Sequence, residues 1–85
     1  MFKWETDFNK LDYLDDVIFL TKRGIMLSGV VVSEYDYNDD FSGYRIEDAD
    51  HDYFYKDDIL CYCFIQDLID FVPPEIKDKI QYLAR

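Results

Sequence analysis

The sequence predicts an α+β fold, a small antiparallel sheet of about four strands with a C-terminal amphipathic helix. Short runs of β-branched and aromatic residues alternate with clusters of Gly, Asn, Asp and Ser, as in strands joined by tight turns. Two consecutive prolines end that pattern, and apolar residues then recur with helical spacing. The chain has 85 residues, 49% hydrophobic and 19% aromatic, so residues 1–85 are expected to form one folded domain.

Residues 1–14 are predicted to be a short helix or an irregular segment packed on the sheet. Trp4, Phe8 and Leu11 have helical spacing, and Thr6 or Asp7 can cap the start of a helix. The alternation of apolar residues over positions 2–8 is also compatible with a strand.

The first two strands are predicted at residues 17–20 and 25–35, which are rich in β-branched residues. The turn between them contains Gly24, which can adopt a positive φ. Gly29 lies in the middle of the second strand, where a glycine indicates either a β-bulge or a close approach of another backbone. Together these strands predict a hairpin.

The remaining strands are shorter and separated by polar turns. Residues 38–43 are predicted to be a loop and residues 44–47 a third strand, by their alternation. A turn at residues 48–52 follows, after which residues 53–55 can continue the sheet. Residues 59–65 predict a strong fourth strand.

The C-terminal part of the chain predicts a helix. Pro73 and Pro74 exclude a central strand and are well placed at a helix start. Ile76, Ile80 and Leu83 recur at i, i+4 and i+7 with polar residues between them, as on one face of an amphipathic helix. The apolar segment 66–72 is too short to be assigned to a helix or a strand.

Both faces of the predicted sheet are apolar. In the strands at residues 25–35 and 59–65, the side chains that point one way and those that point the other are mostly hydrophobic. Each face therefore needs a cover. The C-terminal helix can cover one, and the N-terminal segment, curling of the sheet or a second copy of the chain can cover the other, so a homodimer is one alternative.

The net charge of the chain limits the kinds of partner that it can bind. Nineteen acidic residues oppose nine Lys and Arg, giving a formal charge of −10. Such a chain repels nucleic acids and anionic membranes and attracts basic proteins, so we expect a basic nucleic-acid-binding protein as partner and neither nucleic acid nor membrane directly. Cys61 and Cys63 are expected to be reduced thiols, and the N-terminus lacks the apolar stretch of a signal peptide. These features favour a cytoplasmic protein.

No catalytic or metal-binding pattern is complete, so we expect neither an enzyme nor a cofactor. His51 is the single histidine, and no Gly-rich phosphate loop or nucleophile elbow is present. A calcium-binding module is an alternative, because Asp36, Asn38, Asp40 and Glu47 match positions one, three, five and twelve of an EF-hand loop. Phe41, however, stands where that loop requires glycine.

The acidic tract at residues 34–58 is the candidate functional feature. Its ten acidic residues oppose only Arg45 and Lys56, so it carries −8 of the formal charge of −10. The tract is either ordinary solvated surface or a binding surface, on which carboxylates and aromatic rings contact a basic cleft of a partner protein. The candidate partner-binding residues are Glu34, Tyr35, Asp36, Tyr37, Asp39, Asp40, Tyr44, Glu47, Asp48, Asp50, Asp52 and Tyr53.

Extended backbone would space these carboxylates regularly. In a strand, Glu34 and Asp36 would share one face and Tyr35 and Tyr37 the other, and Asp48, Asp50 and Asp52 would line up. Same-face neighbours in a strand are about 7 Å apart, close to the spacing of phosphates along a nucleic acid. The tract could therefore present a row of negative charge as a nucleic-acid backbone does.

In its length and in this acidic, Tyr-rich tract, the chain resembles small phage-encoded DNA-mimic inhibitors of the anti-CRISPR and anti-restriction type. The resemblance implies a non-enzymatic inhibitor that blocks the basic cleft of a defence enzyme in the cytoplasm of a bacterial host. The chain is also similar in type to immunity proteins that neutralise nuclease toxins, which is the main alternative. A structural or dimerisation domain without such a target is a further alternative.

Overall fold

The computed structural model describes residues 3–77. Five antiparallel strands form one sheet in the order β4-β3-β2-β1-β5. The strands are β1 (Asp16–Thr21), β2 (Met26–Tyr35), β3 (Phe41–Asp48), β4 (Tyr53–Phe54) and β5 (Ile59–Phe64). Two 3-10 helices (Phe8–Lys10 and Lys56–Asp58) and two short α-helices, α1 (Ile65–Ile69) and α2 (Pro74–Lys77), complete the described chain.

The antiparallel sheet is confirmed, but it has five strands and not about four. The continuation predicted at residues 53–55 is a separate strand, β4, which pairs with Ile46 and Glu47 of β3. β3 begins at Phe41, three residues earlier than predicted, because the turn before it is shorter than the predicted loop. Phe41 pairs with Tyr35, and a register shift between Glu34 and Tyr35 accommodates the extra residue in β3.

One face of the sheet carries the hydrophobic core. Val17 and Phe19 of β1, Val31 of β2, Ile46 of β3 and Tyr62 of β5 are completely buried on this first face. Leu11 and Ile59 join the same cluster. Burying side chains of this size removes enough apolar surface from water to make this cluster the main stabilising element of a chain of 85 residues.

The N-terminal segment covers this first face and is fixed on Tyr62. Glu5 and Tyr62 exchange both backbone hydrogen bonds (2.7 and 2.9 Å), and the Tyr62 hydroxyl donates to the carbonyl oxygen of Asp7 (2.6 Å). The ring of Phe8 meets that of Tyr62 edge to face at 6.0 Å between centroids. The Asp7 side chain caps the 3-10 helix by accepting from the N–H of Asn9. The prediction of a short helical or irregular segment packed on the sheet is confirmed.

Gly29 is required by a close approach of two strands. A Cβ at this position would lie 2.6 Å from the backbone oxygen of Glu47 and 2.7 Å from the Cγ2 of Ile46, well inside van der Waals contact. The close-approach alternative for this glycine is therefore confirmed, and the bulges of the sheet lie elsewhere. Gly24 has φ +83°, as predicted for the turn before β2.

The second face of the sheet is also apolar, as predicted. Ile18, Leu20, Val30 and Val32 are half-buried there, and Cys63 is buried. Both cysteines are free thiols, and burial raises the pKa of the Cys63 thiol.

Helices are short throughout the part of the chain that is described. The segment that the sequence left unassigned forms α1, which packs against β1 and β5 and begins at Ile65, the residue predicted to end the fourth strand. α2 begins at Pro74, as the prolines predicted, and its described part ends at Lys77. Ile80 and Leu83, which define the predicted amphipathic face, lie outside the described residues, so the cover of the second face stays a prediction. Over residues 3–77, no helix is long and apolar enough to cross a membrane.

Replacing Tyr62 with phenylalanine should loosen the N-terminal segment. The Y62F chain loses the hydroxyl bond to Asp7, so we expect its free energy of unfolding to fall by about 1 kcal/mol in urea denaturation at neutral pH. Y37F is the matched control, because Tyr37 is 95% exposed, and it should leave the stability unchanged. An unchanged stability in Y62F would show that this bond does not hold the segment.

The same substitution should alter the alkaline stability. Burial raises the pKa of Tyr62 from its ordinary value of 10 to about 12, because the phenolate is poorly solvated there. The raised pKa contributes stability below pH 10 that is lost as the pH rises toward 12. The stability of Y62F should therefore fall less than that of the parent chain across this range.

Candidate interaction surface on the arm

Two strands extend beyond the rest of the sheet and form an arm. β1 pairs with β2 only as far as Val30, and β4 pairs only with Ile46 and Glu47 of β3. Residues 32–35 of β2 and 41–45 of β3 therefore pair with each other alone among the named strands. Residues 32–45 are called the arm, and residues 34–44 its tip. The molecule is elongated accordingly, with principal extents of 49 × 23 × 23 Å.

The turn of the arm is closed by the carboxylate of Asp36. The Oδ1 of Asp36 accepts from the N–H of Asn38 (2.8 Å) and from that of Asp40 (3.1 Å). The backbone N–H of Asp36 donates to the carbonyl oxygen of Asp40 (2.9 Å). Asp39 has φ +63°, the left-handed residue that ends a three-residue hairpin loop. Asp tolerates this conformation better than most residues, which explains how the turn forms without glycine.

A second turn, at residues 48–52, repeats this geometry at the other end of β3. The Oδ1 of Asp48 accepts from the N–H of Asp50 (3.0 Å) and of Asp52 (2.9 Å), and the N–H of Asp48 donates to the carbonyl of Asp52. His51, with φ +65°, takes the left-handed position. Residues 48–52 are called the far turn. Asp48 differs from Asp36 in being buried, with 9% exposure.

The expected row of carboxylates is not formed. Asp48, Asp50 and Asp52 follow a tight turn and not an extended strand, because the Asp48 carboxylate turns back to the backbone that follows it. The alternation expected from Glu34 to Tyr37 also stops, since β2 ends at Tyr35 and the next two residues belong to the arm turn.

The candidate residues divide into two groups at opposite ends of β3. The group at the tip consists of Glu34, Tyr35, Asp36, Tyr37, Asp39, Asp40 and Tyr44, and the group at the far turn of Glu47, Asp48, Asp50, Asp52 and Tyr53. From Phe41 to Asp48 the strand rises about 24 Å, at roughly 3.4 Å per residue. The two groups are therefore separate patches of charge.

The loop that the calcium alternative needs is also not formed. Asp36 lies in the arm turn, whereas Glu47, the expected twelfth ligand, lies near the other end of β3. The Asp36 oxygen that such a loop would offer already accepts two backbone N–H groups. Within residues 3–77, no group of three or more His, Cys, Asp or Glu side chains is arranged to hold a metal ion.

Two basic side chains lie near the far turn, each with an identified contact. The Nδ1 of His51 lies 2.8 Å from the Oε2 of Glu47, and this contact raises the pKa of His51, chiefly through the hydrogen bond. On β3, the guanidinium of Arg45 stacks 3.9 Å from the centroid of the Tyr53 ring. Glu47 therefore has a basic partner within hydrogen-bonding distance.

The arm tip has carboxylates without nearby basic residues in sequence. Residues 24–44 contain no Lys or Arg, and four acidic residues lie between positions 34 and 44. Glu34 is half-buried, and the other three, Asp36, Asp39 and Asp40, are exposed. The tip, residues 34–44, therefore carries a formal charge of −4.

Exposed aromatic rings accompany these carboxylates. Tyr37 is 95% exposed, Tyr35 61% and Phe41 56%. Phe41 lies edge to face with both Tyr35 (6.3 Å) and Tyr44 (5.2 Å). Burial raises the pKa of Tyr44, whose hydroxyl lies 3.4 Å from the Oδ1 of Asp12. Solvent-facing rings in contact with one another mark an interaction surface more often than scattered apolar residues do.

Sequence reasoning missed two residues of this surface, Tyr13 and Phe41. Tyr13 lies outside the acidic tract and reaches the arm because the backbone of Leu14 and Asp15 pairs with Val31 of β2. Phe41 lies within residues 38–43, for which the sequence predicts a loop. Had the three-residue turn been predicted, Phe41 would have been expected opposite Tyr35.

Comparison with protein-family models, with curated proteins and with solved structures finds no match to this chain. Its function is therefore inferred from the chemistry of its own surface.

The two matched turns should respond differently to loss of their aspartate. D48A leaves two backbone N–H groups without their acceptor at a partly buried site, so we expect the free energy of unfolding to fall by about 1–3 kcal/mol. D36A should cost less, because water can replace the carboxylate at the exposed tip. D48N keeps the accepting oxygen and should retain most of the stability. An unchanged stability of D48A in urea denaturation would contradict the structural role of Asp48, and equal losses in D48A and D36A would contradict the effect of its burial.

His51 should titrate above its ordinary value. Because it is the single histidine, its ring protons give an unambiguous NMR titration. We expect a pKa above 6.5 in the parent chain and a lower pKa in E47Q, with E34Q as a control that changes nothing. The raised pKa contributes stability that is present below 6.5 and lost as the pH rises through the folded-state pKa. An identical titration in E47Q would show that Glu47 does not hold His51.

Proposed function

We propose that this protein is a non-enzymatic inhibitor that inserts its arm tip into the basic nucleic-acid-binding cleft of a bacterial defence enzyme, of the kind that anti-CRISPR and anti-restriction proteins block. The observation that carries the proposal is the combination, at the tip, of exposed aromatic rings with four carboxylates on a segment, residues 34–44, that contains no Lys or Arg. Either feature alone is common on a protein surface, whereas their combination on a projecting hairpin is typical of a binding surface.

The charge supports a basic partner. Residues 34–44 carry four carboxylates and no Lys or Arg, on a chain whose formal charge is −10. A field of this sign accelerates the encounter with a cleft lined by Arg and Lys and disfavours nucleic acid itself. Because exposed charges are screened over about 8 Å at physiological ionic strength, the association should weaken as salt is added.

The aromatic rings supply binding affinity that charge alone does not. Exposed ion pairs contribute little net affinity, whereas large rigid rings that become buried at an interface contribute most of it. Tyr35, Tyr37 and Phe41 stand exposed around the arm turn, at the end of a two-stranded projection. A narrow projection of this kind can enter a cleft that a flat surface could not.

Charge reversal at the tip tests the proposal. E34K/D40K reverses two tip carboxylates that make no side-chain hydrogen bond of their own, so the turn should be preserved. D57K/E75K is the matched control, with the same change in net charge at exposed positions away from the tip. Tagged versions of the parent chain and both variants are used to capture partners from bacterial lysates, and the captured proteins are identified by mass spectrometry.

We expect the parent chain and D57K/E75K to capture the same nucleic-acid-binding enzyme and to inhibit it, and E34K/D40K to bind it at least about tenfold more weakly. Equal loss of binding in both variants would show that only net charge matters and would contradict the role of the tip. Capture of a secreted nuclease toxin would instead favour the immunity-protein alternative.

A further inference from the structure

An open groove lies where the N-terminal segment meets the arm. It has a volume of about 640 Å³ and is lined by Tyr13, Val32, Ser33, Tyr35, Phe41 and Tyr44. Four of these six residues are aromatic, and Tyr13, Tyr35 and Phe41 are each more than half exposed. This set of residues is called the aromatic groove. Because the groove is open to solvent and not enclosed, a side chain presented by a partner can enter it directly.

Carboxylates lie at one end of the aromatic groove. Asp12 precedes Tyr13, and its Oδ1 lies 3.4 Å from the hydroxyl of Tyr44, a ring of the groove. Burial is the main cause of the raised pKa of Tyr44, and the negative charges of Asp12 and Asp15 raise it further, so both carboxylates act on this end of the groove. Residues 11–21 and 24–44 contain no Lys or Arg, and the nearest cation along the strand, Arg45, is stacked on Tyr53. Negative charge therefore lies at the end of the groove that Tyr44 and Asp12 form.

We propose that the aromatic groove binds the guanidinium of an arginine side chain presented by a basic partner protein. The inference rests on the proposed function and names the side chain that the tip receives. A cation placed over an aromatic face is attracted by the ring, and a carboxylate nearby can accept its N–H groups. The rings and the charge of the groove therefore complement the same group.

Arginine fits this arrangement better than lysine. Its planar guanidinium stacks on a ring while its edges keep five N–H donors available for carboxylates, and it is more weakly hydrated than an ammonium group. The chain already contains such a pair, since the guanidinium of Arg45 lies 3.9 Å from the Tyr53 ring centroid. Arg45 follows Tyr44 in β3, so its side chain points to the opposite face of the arm and leaves the groove open.

Two synthetic peptides of equal length and charge test the proposal. Both are Gly/Ser peptides, one with six arginines and the other with six lysines, and binding is measured by calorimetry at low and physiological salt. We expect the parent chain to bind the arginine peptide about 3- to 10-fold more tightly than the lysine peptide, from the ordinary strength of cation–π contacts. F41A should reduce this ratio to about one, since it removes a central ring of the groove.

Y37A is the matched control, because Tyr37 lies at the same tip but outside the groove, and it should keep the arginine preference. Circular dichroism and thermal unfolding establish that both variants are folded. Equal affinity of the parent chain for the two peptides would overturn the proposal, as would an arginine preference that survives in F41A or disappears in Y37A. Absence of binding by either peptide would overturn it as well.

These outcomes are separable from those of the proposed function. If the two peptides bind equally and their affinity falls with salt, the aromatic groove is not an arginine site, while an acidic tip that binds basic clefts still stands. If E34K/D40K captures the enzyme as well as the parent chain does, the proposed function fails, whatever the peptides show.

Discussion

The contact between the N-terminal segment and Tyr62 is the constraint on which the rest of the structure depends. The buried ring, its hydroxyl bond to Asp7 and the backbone pairing with Glu5 hold the segment over the core face. Without this cover, the cluster around Phe19, Val31 and Ile46 would face water. The same segment ends beside β2, where Leu14 and Asp15 bond to Val31, and so places Tyr13 against the arm. The N-terminal segment therefore both covers the core and contributes Tyr13 to the candidate surface.

Some acidic residues of the tract close turns and others are free to contact a partner, and the residue type alone does not show which is which. Asp36 and Asp48 direct their carboxylates to the backbone and close the two hairpin turns, so they are structural residues within an acidic sequence. Of the remainder, Glu47 at the far turn contacts His51, and the acids at the tip lie beside aromatic rings that are more than half exposed. The tip therefore combines four carboxylates with large exposed rings, which is why the proposed function is assigned to it.

Local sequence signals predicted much of the fold. The runs of β-branched and aromatic residues predicted β1, β2 and β5. Gly24 was predicted in a turn, where it has a positive φ, and Gly29 was predicted at a bulge or a close approach of strands, of which the structure has the second. The start of α2 at Pro74 followed from the same kind of local rule.

What was missed depended on turn geometry and on distant contacts. Asp39 takes a left-handed conformation without glycine, so the sequence predicts a longer loop in place of the three-residue turn and places Phe41 in that loop. The turn at residues 48–52 has the predicted bounds, and β4 lies where the sheet was predicted to continue. The short helix α1 follows β5 directly within one apolar run, where periodicity cannot distinguish the two. The aromatic groove joins Tyr13 to residues 19 or more positions away through the N-terminal segment, and no pattern within the acidic tract could indicate it.

The central claim is that the arm tip is the surface that contacts a basic partner. Hydrogen exchange of the chain, free and bound to the partner it captures, tests this most directly, because it maps the contact onto the backbone without any substitution. We expect slower exchange of amides in residues 32–45, and at Tyr13 beside them, with little change in β4 and the far turn. Slowed exchange confined to the far turn or to β1 and β5, with the tip unaffected, would contradict the account.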